Sequence, residues 1–190
     1  MKKTMKILIA CLATVLVSTG AMAGTRAFNL SLTPDIAIYP RTDTIEGLTL
    51  SIWGENQQSG LALGIVNGSA GDSAGVSLGC LNYGENYKGL QWGLVNYTKH
   101  NSAGFQGGFI FGFLASGVNY VGGNMTGFYT AVFNYAGNLT GLELGLINYA
   151  ENADSGVQIG LINIINQNKS WFGNMPSEVA PVMIFVNWRF

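Results

Sequence analysis

The residues that could carry out catalysis are few and lie far apart in the chain. His100 is the single histidine and follows Lys99 and precedes Asn101, in a polar stretch that predicts a turn. A hydrolase of the Ser-His-Asp or Ser-His-Asn type needs a histidine that a fixed partner orients. A histidine in such a turn is far more often simply solvated, so we interpret His100 as a surface residue.

The acidic residues form neither a catalytic pair nor a metal site. Glu143 lies well inside a regular repeat, and no second carboxylate shares its side of the predicted strand to make an acid–base pair. Four acids in predicted turns lack the regular ligand spacing of a calcium loop; these are Asp72, Glu85, Glu151 and Asp154. The glycines lack the Lys-Ser/Thr ending of a phosphate loop. We therefore predict no catalytic, cofactor-binding or metal-ligating residue.

Cysteine usage and charge exclude further classes of protein. Cys11 lies in the N-terminal segment, and Cys80 occupies a position that other repeats fill with Ile65, Leu94 and Leu146. An apolar role is therefore indicated for Cys80, and no disulfide framework or CxxC zinc spacing exists. Three of the nine basic residues belong to the N-terminal segment, so six remain against ten acidic residues. A net charge near −4 offers no basic patch for nucleic acid.

An internal repeat dominates the chain. Its clearest copy, Gly141–Tyr149, reads Gly, large apolar, any residue, large apolar, small, large apolar, aliphatic, Asn, Tyr. Six copies begin with glycine and end with asparagine seven residues later: Gly60, Gly75, Gly89, Gly127, Gly141 and Gly156, with Asn67, Asn82, Asn96, Asn134, Asn148 and Asn163. Weaker copies begin at Gly47 and Gly104. A repeat of constant period indicates the architecture before any motif does.

Each copy predicts one β-strand and one tight turn. In the copy that begins at Gly141, the alternation places Leu142, Leu144 and Leu146 on one face and Glu143 and Ile147 on the other. A period of two is typical of strands. Clusters of Asn, Gly, Asp and Ser separate the copies and indicate turns. About 14 residues is too short for a strand and a crossover helix.

Both ends of the chain indicate export to the cell envelope. Residues 1–23 have a positive start, an apolar run over 7–17 and a small-x-small site at Ala21–Ala23, which together predict a signal peptide. A lipoprotein-like box around Cys11 would leave an apolar run of only four residues before the cysteine. Residues 24–190 then form one repeat-built β domain. The chain ends on a strand whose alternate residues are apolar: Val182, Ile184, Val186, Trp188 and Phe190.

These features predict an all-β fold, an antiparallel up-and-down meander closed into a small transmembrane β-barrel of about ten strands, roughly eight to twelve. Each repeat is as long as a tilted membrane-crossing strand, and its Leu face carries no charge. The terminal strand looks like the insertion signal of bacterial outer-membrane barrels. We therefore expect the lipid bilayer and the barrel-assembly machinery as partners. The contacts would be made by the alternating residues of the last strand, Val182, Ile184, Val186, Trp188 and Phe190. In this meander Tyr83 should contact Gly89, and Tyr149 should contact Gly156.

The alternative fold is a parallel β-solenoid in which each repeat forms one coil. Near-identical repeats favour it, because every coil then has the same surroundings. The asparagines and the tyrosines would each stack in a ladder, and the Leu face would be a dry interior. The interval of 23 residues between Gly104 and Gly127, and the alternation of shorter and longer turns, argue against it.

Several stretches together resemble a known family. The run Asn29–Ile36, the segment Ile45–Ile52, the Gly-Leu-x-x-Gly-Leu-x-Asn repeats and the ending Ala180–Phe190 are similar to uncharacterised surface-repeat proteins of Gram-negative bacteria. The resemblance covers nearly all of residues 24–190, except that the even spacing fails over residues 105–124 and leaves the strand count open. It implies an envelope or surface location and offers no catalytic residues to carry over.

We therefore expect an outer-membrane or surface β-barrel protein with a structural, surface-exposed or narrow-channel role and no enzymatic activity. The alternative is a secreted or periplasmic β-solenoid that acts as a binding or adhesion surface. Neither reading includes a cofactor or a nucleic-acid partner.

Overall fold

A computed structural model describes residues 23–108, 116–171 and 176–190, so the predicted signal peptide falls almost wholly outside it. The described chain is all-β and forms a mixed eight-stranded sheet. The strands are β1 (Thr25–Thr33), β2 (Ile36–Ala37), β3 (Thr44–Leu78), β4 (Leu81–Trp92), β5 (Val95–Thr98), β6 (Ser102–Gly107), β7 (Ser116–Ile165) and β8 (Val182–Arg189). Within these ranges, no helix is long and apolar enough to cross a membrane.

Neighbouring repeats pair in parallel, one repeat apart. Asn82 in β4 lies between Asn67 in β3 and Asn96 in β5, and Gly89 lies beside both Gly75 and Gly104. Among the described strands, antiparallel pairing joins only β1 to β2 and β7 to β8. The expected antiparallel meander is therefore wrong. The register is the one expected for the alternative, a parallel β-solenoid.

Each coil contains two strand segments and two bends, and this is why the chain returns in parallel register. In β4, residues 81–84 pair with β5, whereas residues 87–92 pair with β6. One bend lies at Gly93–Leu94 and the other at Lys99–His100. The bends divide this one hydrogen-bonded sheet into two sides. We call the side that contains residues 87–92 the first sheet and the side that contains residues 81–84 the second sheet. The small residue inside each repeat therefore marks a corner that strand alternation alone did not reveal.

One coil contains an insertion, which accounts for the interval of 23 residues between Gly104 and Gly127. Phe105 pairs with Phe128, and Val95 pairs with Val118, each 23 residues along the chain. The coil that contains Phe105 therefore continues at Val118, and the extra residues fall in the sequence between Gly108 and Ser116. Residues 109–115 of this stretch lie outside the described chain.

The interior between the two sheets is polar, which is the reverse of the dry Leu interior expected for a solenoid. We call its central column the interior asparagine ladder: Asn67, Asn82, Asn96, Asn119, Asn134, Asn148 and Asn163, all buried. Each of the first six donates a side-chain amide hydrogen to Oδ1 of the next, over 2.8–3.0 Å. Most also donate to a backbone carbonyl, as Asn134 does to Leu144 at 2.9 Å. The expected asparagine ladder is confirmed.

Polar side chains of the two sheets also meet one another across the interior. Ser77 donates to Oδ1 of Asn82 at 2.8 Å, and Thr98 donates to Oε1 of Gln91 at 3.3 Å. The later coils contain the apolar part of the core, where Met125, Tyr129 and Leu139 are fully buried. The stack is therefore stabilised by side-chain hydrogen bonds along most of its length and by apolar packing mainly in the later coils.

The leading glycines are required because adjacent coils approach closely. Gly75, Gly89, Gly104, Gly127 and Gly141 have φ between 115° and 134°, a range that disfavours L side chains. A Cβ at Gly127 would lie 2.0 Å from the carbonyl oxygen of Gly104. The first position of the repeat is therefore a backbone requirement.

Antiparallel strands close both ends of the stack. At the C-terminal end β8 pairs with β7, and its Asn187 lies beside Gln158, where it is fully buried. The predicted alternation of β8 breaks at Phe185, which is exposed with φ of 69°. Val182, Ile184, Val186 and Phe190 are also exposed, and Trp188 is half-buried. At the other end Arg26 forms an ion pair with buried Asp43 at 2.9 Å.

Gly127→Ala should destabilise the fold by at least about 2 kcal/mol, because the new methyl group meets backbone and the φ of 131° is strained for alanine. Urea unfolding measures the change. Gly54→Ala is the control, since its Cβ would meet only the Ser51 and Thr49 side chains, at 3.1 Å or more. Equal midpoints for the two variants would contradict the close approach of the coils.

Asn134→Ala should lower the free energy of unfolding by roughly 3 kcal/mol, because it removes buried hydrogen bonds to Asn119 and Leu144 and leaves Asn148 Oδ1 without its donor. The exposed Asn152 donates to Gly137 O at 3.3 Å, and Asn152→Ala should cost less than about 0.5 kcal/mol. A similar small loss for both variants, measured by urea unfolding, would show that the interior ladder contributes little.

Candidate binding surfaces

The candidate catalytic and metal-binding residues do not converge. His100 is exposed at a bend, where its backbone N–H donates to Glu85 O at 2.9 Å and its carbonyl accepts from Gly123 N at 2.7 Å. Glu85 accepts from the Gly71 backbone N–H at 3.1 Å, and Glu151 accepts from the Tyr135 hydroxyl at 2.5 Å. Across the described ranges, no three His, Cys, Asp or Glu side chains group as a metal site.

Glu143 is fully buried in the interior, on the column that also contains Gln158. Gln158 Nε2 donates to Glu143 Oε2 at 2.8 Å, whereas Oε1 has no partner among the described residues. Burial raises the pKa of Glu143 to about 8, and the hydrogen bond from Gln158 offsets this only in part. The carboxyl is therefore neutral below that pH. Its burial makes it a structural group with no contact to solvent.

One edge of the stack is lined by a second row of amides. We call it the outer asparagine ladder: Asp72, Asn86, Asn101, Asn124, Asn138 and Asp154. Asn86 donates to Asp72, Asn101 to Asn86 and Asn124 to Asn101, over 2.9–3.1 Å. Asn138 donates both to Asn124 at 3.2 Å and to Asp154 at 2.7 Å. Two carboxylates therefore close a continuous hydrogen-bonded row at the polar edge.

A groove of about 400 Å³ follows four members of this ladder. Asp72, Asn86, Asn101 and Asn124 line it, together with Lys88 and other residues of the same coils. Its volume lies in the range of ordinary ligand sites. Asn86, Asn101 and Asn124 each use one side-chain amide hydrogen in the ladder, and the other has no partner in the described chain. The groove therefore presents a row of free donors in fixed positions.

Stacked tyrosines lie on the second sheet. The ring centroids of Tyr97, Tyr120, Tyr135 and Tyr149 follow one another at 5.0, 4.6 and 5.4 Å, with interplanar angles of 4–8°. The expected contacts of tyrosines with the leading glycines of neighbouring strands are wrong, because the parallel register places each tyrosine beside the equivalent residue of the next coil. The tyrosine stacking expected for a solenoid is confirmed for these four rings.

One hydroxyl group of this column, and that of Tyr83 outside the stacked rings, meet carboxylates. Tyr135 donates to Glu151, which raises the pKa of Tyr135 to about 12. Tyr83 donates to Glu55 Oε2 at 2.7 Å. Tyr83 and Tyr135 therefore each have an apolar ring on the sheet and a hydroxyl group held by a carboxylate.

The opposite corner of each coil is apolar and exposed. We call the residues that follow the small residue of the repeat the apolar edge: Ile52, Ile65, Cys80, Leu94, Val132, Leu146 and Leu161. Leu146 and Leu161 are 56% and 57% exposed, and Ile65 is 55% exposed. Cys80 lies in this column, since its N–H donates to Ile65 O and its carbonyl accepts from Leu94 N, each at 2.9 Å.

Sequence reasoning placed the residues of this edge incorrectly. It put Leu146 and Ile147 on opposite faces of one strand, but both are exposed, because the bend after Gly145 interrupts the alternation. The small residue before each exposed position is the signal that could have indicated the corner. The outer ladder was missed too, because its asparagines were read only as turn residues.

The fold and its surfaces define an all-β repeat protein in which equivalent residues form columns. A comparison of the chain with models of protein families, with curated proteins and with solved structures gives no match. We therefore infer a function from the columns themselves.

Glu143→Gln should remove a pH dependence of stability. The folded-state pKa of about 8 lies above the usual 4.5, so the folded chain keeps a proton that the unfolded chain has lost. The free energy of unfolding should therefore fall as pH rises from about 4.5 to about 8, with a slope of up to about 1.4 kcal/mol per pH unit.

Urea unfolding at pH 5, 7 and 9 measures this slope in the wild type, in Glu143→Gln and in the control Glu151→Gln, which changes an exposed carboxylate. The first variant should show the smaller slope, because the amide stays neutral. Parallel profiles for all three proteins would contradict the burial of a titrating Glu143.

Proposed function

We propose that the protein is a non-catalytic β-solenoid of the bacterial cell envelope whose polar edge binds a hydroxyl-rich polymer, a neutral polysaccharide. The groove along the outer asparagine ladder is the observation that carries this proposal. The signal-peptide pattern and the resemblance to surface-repeat proteins support export, and the outer membrane is the proposed site of attachment.

The donors of the groove are fixed before any ligand binds. In the middle of the ladder, Asn101 receives two hydrogen bonds, from Asn124 N and Nδ2, on the same Oδ1 atom. Its own N and Nδ2 donate to Asn86 Oδ1 in the same way, each at 3.1 Å. Side chains held in this manner lose little conformational freedom on binding, which favours affinity.

The periodicity of the groove fits a polymer. Neighbouring coils lie about 4.8 Å apart, as hydrogen-bonded strands do, so equivalent amides recur at that spacing. Hydroxyl oxygens accept from amide N–H groups and also donate. Asp72 and Lys88 place one charge of each sign at the groove, so the ladder favours a neutral chain of hydroxyl groups over a polyanion.

The parallel pairing does not favour the membrane-spanning barrel. The two sheets face one another across a polar interior, and each strand finds its partner in the next coil. We therefore propose envelope location without a transmembrane meander. Recognition of Val182, Ile184, Val186, Trp188 and Phe190 by the barrel-assembly machinery stays a prediction.

Affinity gel electrophoresis of the mature chain tests the proposed function. Gels containing dextran, galactomannan or xylan serve as neutral probes, and alginate serves as the acidic probe. We expect retardation by at least one neutral polysaccharide, and Asn86→Ala with Asn101→Ala should weaken it at least tenfold, about 1.4 kcal/mol.

Asn152→Ala is the matched control, since it removes an exposed asparagine outside the groove lining. Urea unfolding of each variant shows that the fold is kept. Retardation by none of the neutral polymers, stronger retardation by alginate alone, or an unchanged double variant would overturn the assignment of the groove.

A further inference from the structure

We infer that the apolar edge lies in the surface of a lipid bilayer, so that the protein attaches to a membrane side-on without crossing it. The inference rests on the proposed export but not on the polysaccharide groove at the opposite edge. It follows from the extent, the shape and the borders of the apolar surface.

The apolar surface extends along the stack. The seven residues of the apolar edge lie in seven of eight stacked coils about 4.8 Å apart, over a length of about 34 Å. The coil between those of Leu94 and Val132 places Gly117 beside Leu94 instead. Leu144 and Ile159 continue the surface onto the first sheet, and Ile147 and Ile162 continue it onto the second sheet, all at least partly exposed. None of these residues carries a charge. Exposed apolar residues aligned along most of the stack indicate an interaction or membrane site.

The shape of the surface selects the partner. The apolar residues surround a convex corner and face outward from both sheets, because each coil bends between them. A flat protein surface, including that of a second copy, would cover one sheet and leave the other exposed. Lipid chains are fluid and can cover both sides of a corner. The observed shape therefore favours a bilayer over a second copy of the chain.

The depth of the surface fits an interfacial position. The apolar surface extends about 13 Å along the first sheet, over the four residues from Leu146 back to Leu142. It extends about 10 Å along the second sheet, over the three residues from Leu146 to Tyr149. Surface-bound elements bury their apolar face about 5–10 Å into the headgroup and acyl boundary. The apolar edge can therefore enter this layer while the interior asparagine ladder stays enclosed within the protein.

The borders of the surface have the chemistry of a membrane interface. Tyrosines prefer the level of the headgroups, with the ring on the apolar side and the hydroxyl on the wet side. The stacked tyrosines border the apolar edge on the second sheet, and the hydroxyl of Tyr135 meets Glu151 on the side away from it. Lys99 and Glu151 lie at the polar edge, together with the outer ladder. In this orientation the groove faces away from the lipid.

Vesicle flotation tests the inference. The mature chain is mixed with vesicles of phosphatidylethanolamine and phosphatidylglycerol and is centrifuged through a density gradient. The wild type should float with the vesicles, and floating should persist in 0.5 M NaCl, because the contact surface carries no charge that salt could screen.

A pair of matched variants identifies the edge in contact. Leu146→Glu with Leu161→Glu adds two charges to the apolar edge at exposed positions and should lower the bound fraction at least tenfold. Asn152→Glu with Gln167→Glu adds two charges to the same coils at the polar edge and should bind as the wild type does. Circular dichroism and urea unfolding establish that both variants keep the fold.

Three results would overturn the inference. The first is absence of the wild type from the floating fraction, and the second is equal floating of both double variants. The third is a dimer in sedimentation equilibrium that Leu146→Glu with Leu161→Glu dissociates while vesicles do not bind, which would assign the edge to a second copy. Each result leaves the test with polysaccharides unaffected, because that test probes Asn86 and Asn101.

Discussion

The hydrogen bond between one asparagine side chain and the next, repeated along the interior, is the interaction on which this structure depends. An amide group both donates and accepts, so identical residues satisfy each other when they lie one strand spacing apart. This condition requires that coils stack in parallel and in register. A buried amide without a partner costs about 1–3 kcal/mol. Each coil must therefore place its asparagine in line with the asparagines of the coils above and below it. The chain meets this requirement despite the extra residues between Gly108 and Ser116.

A polar interior determines where the apolar residues lie. The interior columns contain asparagine, glutamine, serine, threonine and Glu143, so most leucines and isoleucines of the repeat remain on the outside. Two edges of opposite character result, because the bend beside the small residue exposes aliphatic side chains and the bend at the other corner exposes amides. Both proposals follow from this division, since a bilayer and a polysaccharide require opposite surface chemistry. The two ligands would bind on opposite sides of one narrow stack.

Repetition also determines which substitutions the stack accommodates. Residues of one column share the same surroundings. At the leading glycines, the carbonyl group of the preceding coil occupies the space that a Cβ would need. Glu143 is an exception, because it occurs in a column where other coils have uncharged residues such as Gln91 and Gln106. Its pKa rises because burial disfavours the charged form. A neutral carboxyl can take the place of an amide there, at the expense of an oxygen without a partner.

The sequence by itself determined the repeat, the strands and the two alternative folds. Period-two alternation and turn residues are local signals, so they could be read without knowing the partner of any strand. Tertiary structure decided that the strands pair in parallel, because the partner residue lies 14 or 15 positions away, or 23 at the insertion, and the same alternation suits a meander. It also decided which face is inside. Leu146 and Ile147 are both outside because the bend after Gly145 breaks the alternation, and Asn148 is inside because Asn134 and Asn163 lie in bonding distance above and below it.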